Sequence, residues 1–157
     1  MADSRNSPGV HFPPPFLFVA GLALAWWLHR QQPLAIFTSN SGLRLLAGWF
    51  VFLQGFVLLL TGLATLFLNR TAIYPNQPAS ALIQSGPYRF TRNPMYLALA
   101  ISYVGFAMLS NMLWALILLP VVIIALHVTV IRREERYLQE AFGRTYTDYC
   151  RRVRRWF

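Results

Sequence analysis

The fold is decided by residues 94–131, PMYLALAISYVGFAMLSNMLWALILLPVVIIALHVTVI, a largely apolar run with Ser110-Asn111 near its middle. Two apolar segments joined by so short a reversal are predicted to form antiparallel helices that lie side by side. A rise of about 1.5 Å per residue places Pro94 roughly 26 Å and Glu134 roughly 34 Å from the reversal, on the same side of it. The polar clusters at 92–96 and 132–135 are therefore predicted to lie together.

The composition indicates a membrane protein, because 56% of the 157 residues are hydrophobic and only 12% are charged. A helix that crosses the hydrocarbon core needs about twenty residues. We therefore predict an all-α integral membrane protein with about four transmembrane helices and a C-terminal amphipathic cytoplasmic segment. A Pro-rich flexible leader at 1–15 would precede a single membrane domain at 16–157. The predicted spans are about 14–30, 43–68, 94–110 and 112–131, and the tail is 132–157.

The net charge of +9 comes from fourteen basic residues, which are all Arg. Such a charge is compatible with a nucleic-acid partner, but the arginines follow membrane segments instead of forming a stripe on a polar fold. With four spans, the positive-inside rule leaves only Arg30 and Arg44 outside and puts both termini in the cytoplasm, beside the anionic inner leaflet. We expect no nucleic-acid partner. The single cysteine, Cys150, excludes an internal disulfide and a cysteine-based metal cluster, so we expect no metal.

Two patterns describe how the helices pack. Gly48, Gly55 and Gly62 recur every seven residues in the second span and put a groove of small residues on one face. Helix packing is favoured there over ligand contact. Beyond the fourth span an apolar stripe, divided by a glycine at 143, predicts amphipathic helices that lie on the inner membrane surface or close over the site. The stripe consists of Leu138, Phe142, Tyr146, Tyr149, Val153 and Trp156.

The two clusters have complementary chemistry. Asn93 and Pro94 are typical of the N-cap and first position of a helix, where the Asn amide accepts from exposed N–H groups. Those N–H groups and Arg92 would attract a carboxylate or phosphate. Glu134 and Glu135 could accept from a ribose diol or face a cation. S-adenosylmethionine carries a carboxylate, a diol and a sulfonium. The alternative is that the arginines pair with lipid phosphates and with the two glutamates, and that Asn93 only caps.

These residues also resemble a known family. The stretch 86–96, GPYRFTRNPMY, followed by 132–135, RREE, and by the residues of the apolar stripe with Gly143, resembles the isoprenylcysteine carboxyl methyltransferase and phospholipid methyltransferase superfamily. The resemblance covers about 82–156. It implies an S-adenosylmethionine site and a lipophilic acceptor, a lipid, lipidated or small molecule, that arrives from the bilayer. The implied cofactor-binding residues are Tyr88, Arg92, Asn93, Pro94, Tyr96, Glu134 and Glu135.

The resemblance is closest to bacterial members, which implies a bacterial inner-membrane enzyme. Two positions depart from the family pattern, since Asn93 stands where eukaryotic relatives typically carry His and Ala98 where Gly is common. The first change would alter a hydrogen bond to the cofactor. The alanine at position 98 would leave less room for another group to approach the backbone closely.

Methyl transfer from a sulfonium is an in-line displacement that needs positioning and desolvation but no covalent enzyme intermediate. Arg132 is our candidate for orienting an acceptor carboxylate, because a guanidinium contacts a carboxylate through two hydrogen bonds. His127 is a candidate base for an amine or thiol acceptor. A structural, hydrogen-bonded histidine is an equally good interpretation of His127.

Two other functions fit this architecture. An NADPH-dependent membrane reductase would need a stronger basic site for the cofactor's extra phosphate, and the Glu134-Glu135 pair argues against it. A non-catalytic membrane scaffold would need only the glycine groove and the basic tail. The accepting atom of a methyltransferase stays open among carboxylate, amine, thiol and phenol.

Overall fold

The computed structural model describes residues 13–38, 42–69 and 81–156, and every regular element in them is helical. The all-α prediction is thus confirmed for this part of the chain. Most of the predicted leader, with Arg5, and residues 70–80, with Arg70, lie outside the described residues. The helices are α1 Pro15–Gln31, α2 Gly42–Leu68, a 3-10 turn Gly86–Arg89, α3 Pro94–Ser110, α4 Leu113–Leu126, a π-helical turn His127–Ile131 and α5 Arg132–Arg152.

Two helical stretches are long and apolar enough to cross a membrane. They are α2, with 27 residues, and the continuous helical stretch Leu113–Arg152, with 40 residues. The apolar part of the second stretch ends at Ile131, and the charged residues from Arg132 onward lie beyond it. Helices α1 and α3, with 17 residues each, are shorter. By length and composition, two helices in the described ranges could therefore cross a membrane, fewer than the four that we predict.

The predicted hairpin is present and forms the centre of the molecule. Helix α3 ends at Ser110, Asn111 adopts the left-handed conformation with φ of 53°, and α4 begins two residues later. An asparagine tolerates this conformation better than most residues. Helix α2 packs mainly on α3, and α1 packs mainly on α4, so the hairpin lies between them.

The glycine face of α2 is a helix-packing face, as predicted. Its three glycines are buried, and a Cβ added at each would meet α3: the residues met are Leu109 from Gly48, Ser102 and Ala98 from Gly55, and Met95 from Gly62. At Gly55 the added Cβ would lie 2.6 Å from the backbone nitrogen of Ser102 and 2.7 Å from the carbonyl oxygen of Ala98. Only a residue without a side chain allows the two backbones to approach so closely. This contact fixes α3 against α2.

Helix α5 bends at Gly143, as predicted, where φ is 51° and ψ is −120° inside an otherwise helical segment. That conformation favours glycine. The apolar stripe of α5 is used partly inside the protein, because Tyr146 and Tyr149 are buried and pack with Leu82. The second half of α5 therefore lies against the segment that leads into α3.

Candidate functional site

Helix α3 begins where the sequence predicts, with Asn93 at the N-cap and Pro94 as the first helical residue. The prediction of a capping hydrogen bond is wrong, however, because the Asn93 side chain makes no hydrogen bond to the N–H groups of the helix. Its amide nitrogen instead donates to the carbonyl oxygen of Arg155 at 3.2 Å. The reason is that the C-terminal residues pack over this turn and offer a carbonyl acceptor. The first turn of α3 is left without a side-chain cap.

The two ends of the hairpin meet through Tyr96 and Glu134. The Tyr96 hydroxyl donates to Oε1 of Glu134 at 2.7 Å. Tyr96 is buried in α3, and Glu134 is half-buried in the first turn of α5. The prediction that the two clusters lie together is thus confirmed by a direct contact across 38 residues of chain.

Glu134 has an unusual protonation equilibrium for a carboxyl group. Burial raises its pKa from 4.5 to about 7, the hydrogen bond from Tyr96 lowers it in part, and the charge of Glu135 raises it further. Removing a carboxylate from water disfavours its charged form, whereas a donated hydrogen bond favours it. Glu134 therefore changes charge near neutral pH.

Glu135 lies between two guanidinium groups. Arg155 donates to it through two hydrogen bonds, from Nε at 2.8 Å and from Nη2 at 2.7 Å. Arg92 contributes an ion pair, with 3.2 Å between its Nη1 and Oε1 of Glu135. Paired, planar contacts of this kind are the strong form of the arginine–carboxylate interaction. Glu135 is therefore already neutralised by the protein, and a ligand at this position would share the arginines with it.

Tyr88 is tied to the site from the loop before α3. Its carbonyl oxygen accepts from the Tyr149 hydroxyl at 2.6 Å, and Tyr149 is buried in α5. Burial raises the pKa of the Tyr88 hydroxyl well above its ordinary value of 10, and the charge of Glu134 acts in the same direction. Tyr88 therefore stays protonated at physiological pH, close enough to Glu134 to sense its charge.

The structure thus brings together all seven residues that the resemblance implies for cofactor binding. It does not do so for the two catalytic candidates. Arg132 is exposed at the start of α5, and His127 is partly buried at the first residue of the π-helical turn. Within the described ranges, neither side chain hydrogen-bonds to the other site residues. Their catalytic roles stay predictions.

Sequence reasoning missed three residues that complete the cluster. Arg155 holds Glu135, Tyr149 holds the Tyr88 backbone, and Cys150 accepts a hydrogen bond from Nη1 of Arg92 at 2.9 Å. The sequence placed Tyr149 in the apolar stripe of α5 but did not predict its contact with Tyr88. Nothing in the sequence distinguishes Arg155 from the seven other arginines that follow Ile131.

Comparison with known proteins identifies the family of the chain. Residues 43–145 match the model of the phospholipid methyltransferase family, a match that includes α2, the hairpin and both polar clusters. No curated protein matches the chain. The match covers more than half of the sequence and confirms the resemblance that the two clusters carry. This chain belongs to the phospholipid methyltransferase family.

Proposed function

We propose that the chain transfers a methyl group from S-adenosylmethionine to a lipophilic acceptor at the cytoplasmic face of a membrane. The family is a methyltransferase family with a lipid-type substrate, which supports the reaction class. The observation that carries the proposal is the 2.7 Å hydrogen bond between Tyr96 and Glu134. This contact brings the start of α3, where backbone N–H groups can bind an anion, next to Glu134, whose carboxylate can bind a cation or a diol.

The membrane topology is part of the proposal. Helices α1 and α3 would cross the bilayer beside α2 and α4, although each has only 17 residues, because flanking residues and bilayer thinning compensate for a short helix. The outer surface of α1 supports this, since large apolar side chains such as Phe16, Val19 and Trp26 are more than half exposed. Four spans put both termini in the cytoplasm, where α5 would meet an anionic inner leaflet. A bacterial inner membrane is the proposed location.

The residues fit the proposed cofactor at both of its charged ends. Nε of Arg92 is buried and has no hydrogen-bond partner in the described part of the chain, so it can donate to a carboxylate. The uncapped first turn of α3 adds backbone N–H groups for the same anion. Tyr96 donates to Oε1 of Glu134. Within the described ranges Oε2 accepts no hydrogen bond, so it is left for a diol or a cation. Bound S-adenosylmethionine would supply an electrophilic methyl group.

The chain's own contribution would be positioning and exclusion of water. Tyr96 orients Glu134, and Arg155 orients Glu135. Arg132, exposed at the membrane-proximal start of α5, would orient an acceptor carboxylate. His127 would accept the proton of an amine or thiol acceptor.

Titration of the purified full-length chain in detergent with S-adenosylmethionine tests the proposal. We expect binding with a dissociation constant of micromolar order for the wild type, and at least about tenfold weaker binding for Glu134→Gln, since a charged hydrogen-bond partner contributes about 1.5–3 kcal/mol. Glu140→Gln is the matched control, because Glu140 is exposed on the same helix. It should bind like the wild type.

A parallel titration with NADPH separates the alternatives. Binding of NADPH but not of S-adenosylmethionine would favour a reductase, and binding of neither would favour a scaffold. Equal S-adenosylmethionine affinity in the wild type and in Glu134→Gln would remove Glu134 from the site. In each case a melting curve establishes that the variant is folded.

A further inference from the structure

The residues that follow α5 cross the start of α3. The helix ends at Arg152, Val153 is extended with φ of −120° and ψ of 126°, and the chain then runs along the turn before α3. We call residues 153–156 the C-terminal strap. The strap is anchored at both ends, because Val153 is 8% exposed and Trp156 packs against the core cluster that contains Tyr96.

The strap is held by its backbone. The amide of Arg92 donates to the carbonyl oxygen of Arg154 at 3.0 Å. The carbonyl oxygen of Arg155 accepts from the Thr91 hydroxyl at 3.0 Å and from the Asn93 side chain at 3.2 Å. Three consecutive residues of the turn are therefore bonded to two consecutive carbonyls of the strap. The position of the turn depends on the strap.

The side chain of Arg155 acts on the same turn by a second route. Its two hydrogen bonds fix the carboxylate of Glu135, and the same carboxylate holds Nη1 of Arg92 at 3.2 Å. Glu135 and Cys150 together hold Nη1 of Arg92, and the buried Nε of the same guanidinium lacks a partner within the described residues. Arg155 thus sets where a donor of Arg92 points.

We infer that Arg155 is a positioning residue for the proposed cofactor site, whose side chain acts on Arg92 through Glu135. The inference rests on the proposed function. It goes beyond the family match, which ends at residue 145 and does not include the strap. Arg155 need not touch the cofactor, because its contacts are with the residues that would.

The test combines cofactor binding with hydrogen exchange in the full-length protein. Arg155→Ala should weaken S-adenosylmethionine binding by about tenfold to a hundredfold, by analogy with the loss when residues that orient metal ligands are removed. In the cofactor-free protein, hydrogen exchange of the Arg92 amide should be faster in Arg155→Ala than in the wild type, because the strap loses the side-chain contact that holds it. Arg155→Lys keeps the charge but not the two parallel hydrogen bonds, and we expect an intermediate affinity. Arg151→Ala, which removes a side chain that is 77% exposed, is the control and should change neither readout.

A double-mutant cycle distinguishes positioning from general stabilisation. If Arg155 acts through Glu135, adding Arg155→Ala to Glu135→Gln should change the affinity by less than about twofold. Fully additive losses would overturn the inference, as would an Arg155→Ala variant with wild-type affinity and wild-type exchange at Arg92. If the wild type itself binds no S-adenosylmethionine, the proposed function fails, and the exchange data still report whether Arg155 holds the turn. Should Arg155→Ala not fold, Arg155→Lys provides the same comparison.

Discussion

The two ends of α3 are both polar, but their side chains have different partners. At the C-terminal end Arg44 of α2 donates to the carbonyl oxygen of Met108 at 2.8 Å and also to that of Leu109. The Asn111 side chain accepts from the backbone amide of Phe37 at 2.9 Å and donates to its carbonyl. At this end every one of these contacts joins a side chain to the backbone.

At the N-terminal end, side chains also donate to backbone carbonyls, but here ionisable side chains contact one another as well. Tyr96 pairs with Glu134, and Glu135 pairs with Arg92 and Arg155. A backbone carbonyl carries a fixed dipole and does not titrate, so contacts with it fix geometry at any pH. Pairs of ionisable side chains can change charge and exchange partners. The comparison teaches that the contacts at one end of α3 are independent of pH, whereas the other end carries the ionisable pairs on which the proposed function depends.

The largest effect on stability is therefore expected at the C-terminal end. Arg44 is 8% exposed, and Arg44→Ala would leave the last carbonyls of α3 without this donor in apolar surroundings. We expect the free energy of unfolding to fall by about 2–4 kcal/mol, since each lost charged hydrogen bond in a buried site costs about 1.5–3 kcal/mol and partial relaxation recovers some of it. Chemical denaturation in detergent measures this change.

The cofactor affinity of the folded Arg44→Ala protein should stay at the wild-type value, because Arg44 is at the far end of α3. Arg30→Ala is the control, since Arg30 is exposed at the end of α1 on the same side of the molecule. It should leave stability nearly unchanged. Loss of cofactor binding with unchanged stability in Arg44→Ala would break the distinction between the two ends.

The fold was largely predictable because its decisive signals are local. Asn93-Pro94 marks a helix start and Ser110-Asn111 a reversal, and both act within a few residues. The glycines at 48, 55 and 62 were also informative, because seven-residue spacing aligns them on one face whatever that face contacts. The helical bounds and the packing face of α2 follow from such signals, whereas its partner α3 is known only from the structure.

The partners of the site residues were less predictable because they depend on contacts between distant parts of the chain. Glu135 needs a cation, but eight arginines follow Ile131, and only the packing of the strap selects Arg155. The same packing turned Asn93 from a capping acceptor into a donor to a carbonyl 62 residues away. The spacing of residues within α5 carries no information about where the strap packs after the helix ends.

A second and smaller effect is expected from pH at the N-terminal end. Because burial raises the pKa of Glu134 to about 7, its carboxylate is lost as the pH falls through neutrality. If the ionised form binds the cofactor, affinity should fall by about tenfold per pH unit below pH 7 and level off above it. Calorimetric titration between pH 5.5 and about 8.5, spanning that pKa, measures the profile.

The stability of the cofactor-free protein should show the opposite trend. A raised carboxyl pKa means that the folded state holds the proton more tightly than the unfolded state, whose value is near 4.5. The Glu134 contribution to stability is then fully present below about pH 4.5 and is lost as the pH rises through 7. Glu134→Gln cannot titrate, and it should remove both trends. Parallel pH profiles for this variant and the wild type would contradict the assignment.

The smallest effect is expected from Tyr96→Phe, which removes only the hydroxyl that donates to Glu134. That hydrogen bond favours the ionised carboxylate, so its loss should raise the pKa of Glu134 further and move the binding profile to higher pH. A shift of about half a pH unit gives about twofold weaker cofactor binding at pH 7, approaching about threefold at lower pH, and nearly wild-type binding above about pH 8.5. Tyr103→Phe is the matched control, because the buried Tyr103 hydroxyl lies on the same helix and has no hydrogen-bond partner in the described residues. An equal loss of affinity at every pH would show that the Tyr96 hydroxyl contacts the ligand directly, whereas a pure shift of the profile would show that it acts through the charge of Glu134.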